Sequence, residues 1–250
     1  PDVALLSTDT QLPELASQGV LADLSSYDVS FEGLDDTVRG LGEYDGVQYG
    51  LPVQVEDYAI FYNKDAFAAA GVAETAPETF DDLVALASSV TTDGQNGIVL
   101  PGIGGDGSTA VYFLPFLLSA GGDPADVTGQ GAADAVGLYK KLVEEGALSS
   151  EFVNWGWDSI DQWTSGSAAI TVSGPWNLVD SSIPFEYGTF PFPTASAGEE
   201  PQVNLLGYVY GAAANEDPNR EAAAAALIAC RASEENQLDT AVQGGYIPAL

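Results

Sequence analysis

The chain has 250 residues, of which 46% are apolar, so it is long enough to form one large domain or two modest ones with a buried core. It carries 37 acidic residues against 6 basic ones, a formal net charge of -31, and such a surface repels nucleic acid and anionic lipid. It has no histidine and one cysteine, which excludes Ser-His-Asp and Cys-His catalysis, His-ligated metal sites and an internal disulfide. We expect no nucleic-acid partner, no metal and no cofactor.

The acidic residues are scattered along the sequence instead of forming one cluster, which favours a protein from a halophile whose whole surface is adapted to salt. Like charges strain a compact chain in dilute buffer, and molar salt shortens the Debye length to about 3 Å. A site for cationic solutes is the alternative explanation of this charge. Phosphate and carboxylate ligands normally bind to Arg or Lys, which are scarce here, so a neutral ligand is favoured over an anionic one.

Segments with strand-like and helix-like patterns alternate along the chain, which predicts an α/β fold with mainly parallel strands. The predicted strands lie at residues 3–6, at two positions within 49–62, and at 98–101, 168–172, 187–190 and 204–214. The predicted helices lie at residues 11–18, 34–40, 66–70, 80–90, 111–119, 132–145, 158–165, 219–232 and 234–242. Thr79 is the expected N-cap of the helix at 80–90, and Pro218 stands at the first turn of the helix at 219–232.

The most informative segment is YGLPVQVEDYAIFYNKDAF at residues 49–67. A β-branched apolar run leads into Glu56 and Asp57, and a second apolar run begins at Tyr58. Two carboxylates inside such a run are costly to bury without partners. A ligand crevice or a hinge between two lobes would leave them half-solvated, and a sheet edge with solvated acids is the alternative.

This segment carries a family resemblance, and four further motifs extend it in the same order along the chain. The pattern resembles the extracellular solute-binding proteins of ABC importers (family 1), of the type that binds maltose and other oligosaccharides. The further motifs are TFDDL at 79–83, SGSAAITVSGPW at 165–176, GYVYGAAA at 207–214 and GGYIP at 244–248. Together the motifs cover nearly the whole chain.

The resemblance implies a two-lobe, type II periplasmic-binding-protein-like fold in which each lobe is a mainly parallel sheet flanked by helices. Lobe 1 would be residues 1–56 plus 204–250, and lobe 2 would be residues 57–203. The resemblance also implies a fragment whose first lobe is incomplete at both ends. The full-length protein is expected to be extracellular, at the cell surface or in the periplasm, and anchored to the membrane.

The resemblance further implies that a neutral carbohydrate is captured in the cleft between the two lobes and delivered to the membrane permease of an ABC transporter. We expect a monomer that performs no catalysis. Two alternatives are a glycoside hydrolase-like carbohydrate-active enzyme, which would use paired carboxylates, and a cell-surface structural domain that binds no ligand.

Carbohydrates present CH groups on their ring faces and hydroxyls at their rims, which suit aromatic rings and carboxylates respectively. Trp176 is the main stacking candidate because it follows a predicted strand at its carboxyl end, and a core position is its alternative. Asp9 is either a hydroxyl acceptor or an N-cap. Trp157 lies with Trp155 in a loop that faces either the ligand or the core. The candidate ligand-binding residues, with no catalytic or metal-binding residue among them, are Asp9, Thr10, Glu56, Asp57, Tyr58, Tyr112, Trp157, Trp176 and Tyr208.

The charge balance predicts that the melting temperature rises as salt is added, because screening removes repulsion among the acidic side chains. Thermal melts followed by circular dichroism from dilute buffer to molar KCl measure this rise. Trimethylamine N-oxide at matched osmolality is the control, since it favours the compact state without screening charge and is not a carbohydrate. A midpoint that does not move with KCl would contradict the expectation.

Overall fold

The computed structural model describes residues 1–180 and 182–250. The chain forms two compact units: unit 1 consists of Pro1–Asp57, Pro175–Val179 and Leu205–Leu250, and unit 2 of Tyr58–Gly174 and Asp180–Asn204. The predicted division placed the segment Pro175–Val179 in lobe 2, but it packs with unit 1. Its neighbours in sequence belong to unit 2, and sequence order alone did not reveal that this short segment packs with the other unit.

The strands of the described residues are β1 (Val3–Ser7), β2 (Glu43–Tyr44), β3 (Val47–Gln48), β4 (Gly50–Glu56), β5 (Ala59–Asn63), β6 (Asn96–Val99), β7 (Ala168–Ser173), β8 (Tyr187–Phe190), β9 (Leu206–Ala212) and β10 (Ile247–Pro248). The α-helices are α1 (Gln11–Ser17), α2 (Asp36–Gly40), α3 (Lys64–Ala70), α4 (Phe80–Val90), α5 (Ser108–Ser119), α6 (Gln130–Glu144), α7 (Ile160–Thr164), α8 (Pro218–Arg231) and α9 (Glu234–Gly244). Short 3₁₀ helices lie at Leu24–Ser26, Ser150–Asn154, Trp157–Ser159 and Pro175–Val179. None of these helices combines the length and the apolar character that a bilayer crossing requires.

Unit 1 is built on a four-stranded sheet with the order β1-β9-β4-β10. The register pairs Leu6 of β1 with Val209 of β9, and both side chains pack with Leu12 of α1. The opposite face carries a second cluster in which Val53 and Ala212 pack with Ile228 of α8. Alternation along the strands therefore fills both faces of the sheet, as expected for strands covered by helices on either side.

Unit 2 is built on a second four-stranded sheet with the order β6-β7-β5-β8. Its core includes Phe61 and Trp163, whose rings meet edge to face at 5.8 Å. Thr79 forms a capping box with Asp82 at the start of α4, because each residue's side chain accepts a hydrogen bond from the other's main-chain N–H. The cap at Thr79 confirms an expectation from the sequence.

The expectation of mainly parallel strands was wrong. Every pair in the sheet of unit 1 is antiparallel. In unit 2 only β6 and β7 run parallel, because helices α5 to α7 carry the chain back between them. Alternation of strands and helices did not reveal that β4 leads the chain out of unit 1 and β9 leads it back beside β4 in the opposite direction.

Two glycines of unit 2 differ in the space around them, and this predicts opposite effects of substitution. A Cβ at Gly97 of β6 would lie 2.0 Å from the main-chain oxygen of Ala87, whereas a Cβ at Gly137 of α6 would meet no atom within 4 Å. We expect Gly97→Ala to lower the free energy of unfolding by about 1–3 kcal/mol through overpacking. Gly137→Ala should raise it by about 0.5–1 kcal/mol through helix propensity. Urea unfolding at constant salt measures both, and equal effects of the two variants would contradict the packing of β6 against α4.

Candidate functional site

Unit 1 gathers two acidic side chains and a tyrosine at one end of its sheet. Tyr208 of β9 pairs with Ser7 at the end of β1 and with Gln54 near the end of β4. Asp9 follows β1 by two residues, and Glu56 is the last residue of β4. Since β9 lies between β1 and β4, its pairing brings Asp9, Glu56 and Tyr208 together.

The electrostatics of unit 1 reflect this grouping. The pKa of Glu56 is raised, first because the half-buried carboxylate is desolvated and also because the charge of Asp9 lies nearby, while a hydrogen bond from the Gln54 amide at 3.3 Å opposes the rise. The pKa of Tyr208 is raised by burial and by the charge of Glu56. These groups therefore form one electrostatic cluster that disfavours negative charge.

Asp9 and Thr10 lie at the start of α1, and their contacts decide between the two interpretations of Asp9. The N-cap position is Thr10, and it makes no side-chain capping bond. The Thr10 hydroxyl lies 3.0 Å from that of Ser7 and donates to Asp9 at 3.4 Å. Asp9 is exposed and does not cap the helix, so its carboxylate is presented to solvent.

Trp176 belongs to the 3₁₀ helix Pro175–Val179, which packs in unit 1. Trp176 is partly exposed, which favours the ligand-facing interpretation over a core position. Gly245, in a left-handed conformation at φ 73°, approaches this segment so closely that a Cβ would lie 2.6 Å from the Pro175 oxygen. The GGYIP motif therefore supports the main chain next to Trp176.

Asp57, the last residue of unit 1 before the chain enters unit 2, is half-buried.

Unit 2 holds three aromatic candidates in a row. The Tyr58 and Tyr112 rings lie 5.7 Å apart, and the Tyr112 and Trp157 rings meet edge to face at 6.0 Å. Tyr58 and Tyr112 are buried, and burial raises the pKa of Tyr112 to about 12. Trp157 ends the row with 49% of its surface exposed. Trp155 instead packs against the core around Phe61, so the structure separates two tryptophans that the sequence could not.

One loop, residues 102–108, supports Trp157 and the main chain before it. The Trp157 indole N–H donates to the main-chain oxygen of Asp106 at 3.0 Å. The main-chain N–H groups of Gly102 and Ile103 donate to the Trp155 oxygen at 2.9 and 3.0 Å. Sequence reasoning did not identify Asp106 as a supporting residue. The signal was present in Asp-Gly-Ser, because an Asp two residues before a helical Ser commonly accepts its main-chain N–H.

The bacterial extracellular solute-binding protein family matches the chain over residues 1–250. The chain belongs to this family. The maltodextrin-binding protein MdxE of Bacillus subtilis is 28% identical over 224 residues, covering 80% of this chain and 49% of MdxE. The chain thus spans about half the length of the curated relatives it matches.

Among the described residues, no group of three or more acidic or cysteine side chains is placed to hold a metal ion.

Solved structures extend the likeness across the whole chain. The GacH receptor of Streptomyces glaucescens, solved unliganded and with acarbose, has a TM-score of 0.83 and 26% identity and covers 100% of this chain and 65% of its own. UgpB of Mycobacterium tuberculosis, in complex with glycerophosphocholine, has a TM-score of 0.87 and 20% identity and covers 99% and 64%. These matches confirm the two-lobe α/β fold class. At its low identity, UgpB carries information on the fold alone.

The raised pKa of Glu56 predicts a stability difference that depends on pH. The folded state holds the Glu56 proton more tightly than the unfolded chain does, so Glu56 costs stability as pH rises above the ordinary value near 4.5 and through the raised pKa. We expect Glu56→Gln to melt at a higher temperature than the parent at pH 7, and the difference to vanish below pH 4.5. Glu32→Gln, which removes the same charge from an exposed loop of unit 1, is the control. A Glu56→Gln gain no larger than that of Glu32→Gln would show that only net charge matters.

Proposed function

We propose that the chain is the ligand-binding part of an extracellular solute-binding protein that captures a neutral carbohydrate of the maltooligosaccharide type and delivers it to an ABC transporter permease. The observation that carries the proposal is the aromatic row of unit 2, which ends in a half-exposed indole held by a hydrogen bond. Capture requires no catalysis and no cofactor. The protein is proposed to act as a monomer outside the cell, at the cell surface or in the periplasm.

The chemistry of Trp157 suits the CH face of a sugar ring. Its only polar atom already donates to the Asp106 oxygen, so the indole offers its apolar face without an unsatisfied donor. Tyr112 packs edge-on against the indole and supports it from within unit 2. A rigid aromatic plate of this kind binds a pyranose ring through dispersion and the hydrophobic effect, which need no charge on the ligand.

The acidic cluster of unit 1 suits the hydroxyl rim of the same class of ligand. Carboxylates accept hydrogen bonds from hydroxyl groups, and Asp9 presents its carboxylate to solvent. Because the charge of Asp9 and the desolvation of Glu56 both disfavour negative charge at Glu56, an anionic ligand would be repelled there. We propose that Asp9, Thr10, Glu56, Asp57, Trp176 and Tyr208 of unit 1 and Tyr58, Tyr112 and Trp157 of unit 2 contact the ligand.

The basic residues also favour a neutral ligand. Among the described residues, five of the six basic side chains of the sequence contact acidic or aromatic side chains outside the candidate set. These pairs are Lys140 with Glu144, Lys141 with Asp81, Arg220 with Asp2, Arg39 with Phe31, and Arg231 with Tyr210. The remaining one, Lys64, begins α3. The candidate set itself contains no cation that would pair with a phosphate or carboxylate.

The relatives support a carbohydrate over other neutral solutes. MdxE is named for maltodextrin, and GacH was solved with acarbose. Because the chain spans about half the length of its curated relatives, the permease partner, the membrane anchor and the site of action of the whole protein belong to the proposal.

The proposal predicts that maltotriose binds in molar salt and that Trp157→Ala weakens binding about ten- to hundredfold, which corresponds to roughly 1.4–2.8 kcal/mol. Isothermal titration calorimetry measures the affinity. Val153→Ala is the matched control, because Val153 lies in the neighbouring 3₁₀ helix with 51% of its surface exposed. Absence of heat with maltose, maltotriose, longer maltodextrins and acarbose would refute the proposed function.

A hydrolase is the second candidate, because Glu56 has a raised pKa and a second carboxylate, Asp9, nearby. Such a pair is the arrangement from which glycosidases draw an acid and a base. Incubation with a chromogenic maltooligosaccharide distinguishes the two functions. We expect no release of the chromophore, and turnover that disappears in Glu56→Gln would establish the enzyme.

A further inference from the structure

The side chain and the main chain of Asp106 contact two different elements of unit 2. Its carboxylate accepts hydrogen bonds from the Ser108 N–H at 2.9 Å and the Ser108 hydroxyl at 2.5 Å, at the first residue of α5. Its main-chain oxygen accepts the Trp157 indole N–H at 3.0 Å. The Ser108 hydroxyl bond is the main cause of a lowered pKa for Asp106, so the carboxylate stays charged at neutral pH. The side chain thereby fixes the position of the main-chain acceptor.

Gly156 provides the space that this arrangement needs. A Cβ at residue 156 would lie 2.0 Å from the second carboxylate oxygen of Asp106 and 3.1 Å from Ile103. Only glycine lets the loop before Trp157 approach Asp106 this closely. The Trp157 side chain and the main chain next to it are therefore both held by the segment at residues 102–108.

We propose that Asp106 is a positioning residue that fixes the exposed Trp157 indole in the orientation in which the ligand stacks, with Gly156 as the residue that permits the contact. This inference rests on the proposed function and deepens it, because Asp106 itself does not touch the ligand. A freely rotating, exposed indole loses conformational entropy when a sugar ring stacks on it, and this entropy cost weakens binding. Because Asp106 and Ser108 already fix the indole in the free protein, binding no longer carries this entropy cost.

The first test measures maltotriose affinity in a double-mutant cycle. Asp106→Ala should weaken binding about three- to tenfold, which is the expected effect of one side chain that must be ordered on binding. In a Trp157→Ala background the same change should have less than about a twofold effect, because the side chain that Asp106 positions is gone. Equal losses in both backgrounds would overturn the proposal, as would no loss in either.

Two further variants separate positioning from general damage. Asp106→Asn keeps an oxygen that accepts from Ser108 and should retain most of the affinity. Asp126→Ala is the matched control, because Asp126 accepts from the Thr128 N–H at 3.0 Å and the Thr128 hydroxyl at 2.6 Å just before α6, the same local arrangement in the same unit. Asp126→Ala should leave the affinity unchanged within about twofold. A loss like that of Asp106→Ala would assign the effect to destabilised loops.

The second test needs no ligand. The emission of Trp157 is the difference between the spectra of a protein with Trp157 and the same protein with Trp157→Phe. In the Asp106→Ala and Gly156→Ala proteins this difference spectrum should shift to the red and be quenched more strongly by acrylamide, a neutral quencher that the acidic surface does not repel. Unchanged spectra and quenching would overturn the positioning role.

The two tests keep the outcomes distinct. If the parent protein binds no carbohydrate, the proposed function fails, and the emission experiment still decides whether Asp106 holds the indole. If the parent binds maltotriose and Asp106→Ala binds equally well, the positioning role fails while the proposed function stands.

Discussion

The pairing of β4 with β9 is the constraint on which the candidate site of unit 1 depends. A Cβ at Gly207 would lie 2.3 Å from the Gln54 oxygen, and one at Gly50 would lie 2.4 Å from the Val209 side chain. The two strands therefore pair this closely only because each carries glycine where the other approaches. This register sets Tyr208 beside Gln54 and leaves Glu56 at the end of the pair, two residues before the chain enters unit 2.

The same pairing has an electrostatic consequence. Glu56 is half-buried next to the charge of Asp9, and one amide hydrogen bond from Gln54 does not offset this in the pKa, which remains raised. A carboxylate in such a position destabilises the fold, since an apolar or amide side chain there would avoid the desolvation cost. Under the proposed function this destabilisation favours ligand binding. The protein supplies the charged Glu56 carboxylate with few hydrogen bonds, and the sugar hydroxyls that replace water there would donate more.

The sequence predicted those features that depend on neighbouring residues. Thr79 caps α4 and Pro218 opens α8 because capping and first-turn preferences act over three or four residues. Sequence reasoning missed the strand pair β2 and β3, although Asp45-Gly46 is a typical hairpin turn and both residues have positive φ.

Features that depend on contacts between segments far apart in the chain could not be predicted from the sequence. The antiparallel pairing of β1 with β9 joins residues about 200 positions apart, and no local pattern encodes such a partner. The different environments of Trp155 and Trp157 arise from the loop at residues 102–108, which binds the main chain of the first and the indole of the second. Likewise, Trp176 packs with unit 1, where Gly245, distant from it in sequence, approaches its segment closely.

The acidic surface and the aromatic site fit together under the proposed adaptation to salt. At molar salt the Debye length is about 3 Å, so long-range attraction between a charged ligand and the protein is largely lost. Stacking on an indole does not depend on charge, and salts that strengthen apolar burial favour it. Hydrogen bonds from sugar hydroxyls to partly buried carboxylates act at contact distance, where screening is weak. Under that adaptation, a net charge of -31 would combine solubility in brine with a recognition chemistry that brine does not weaken.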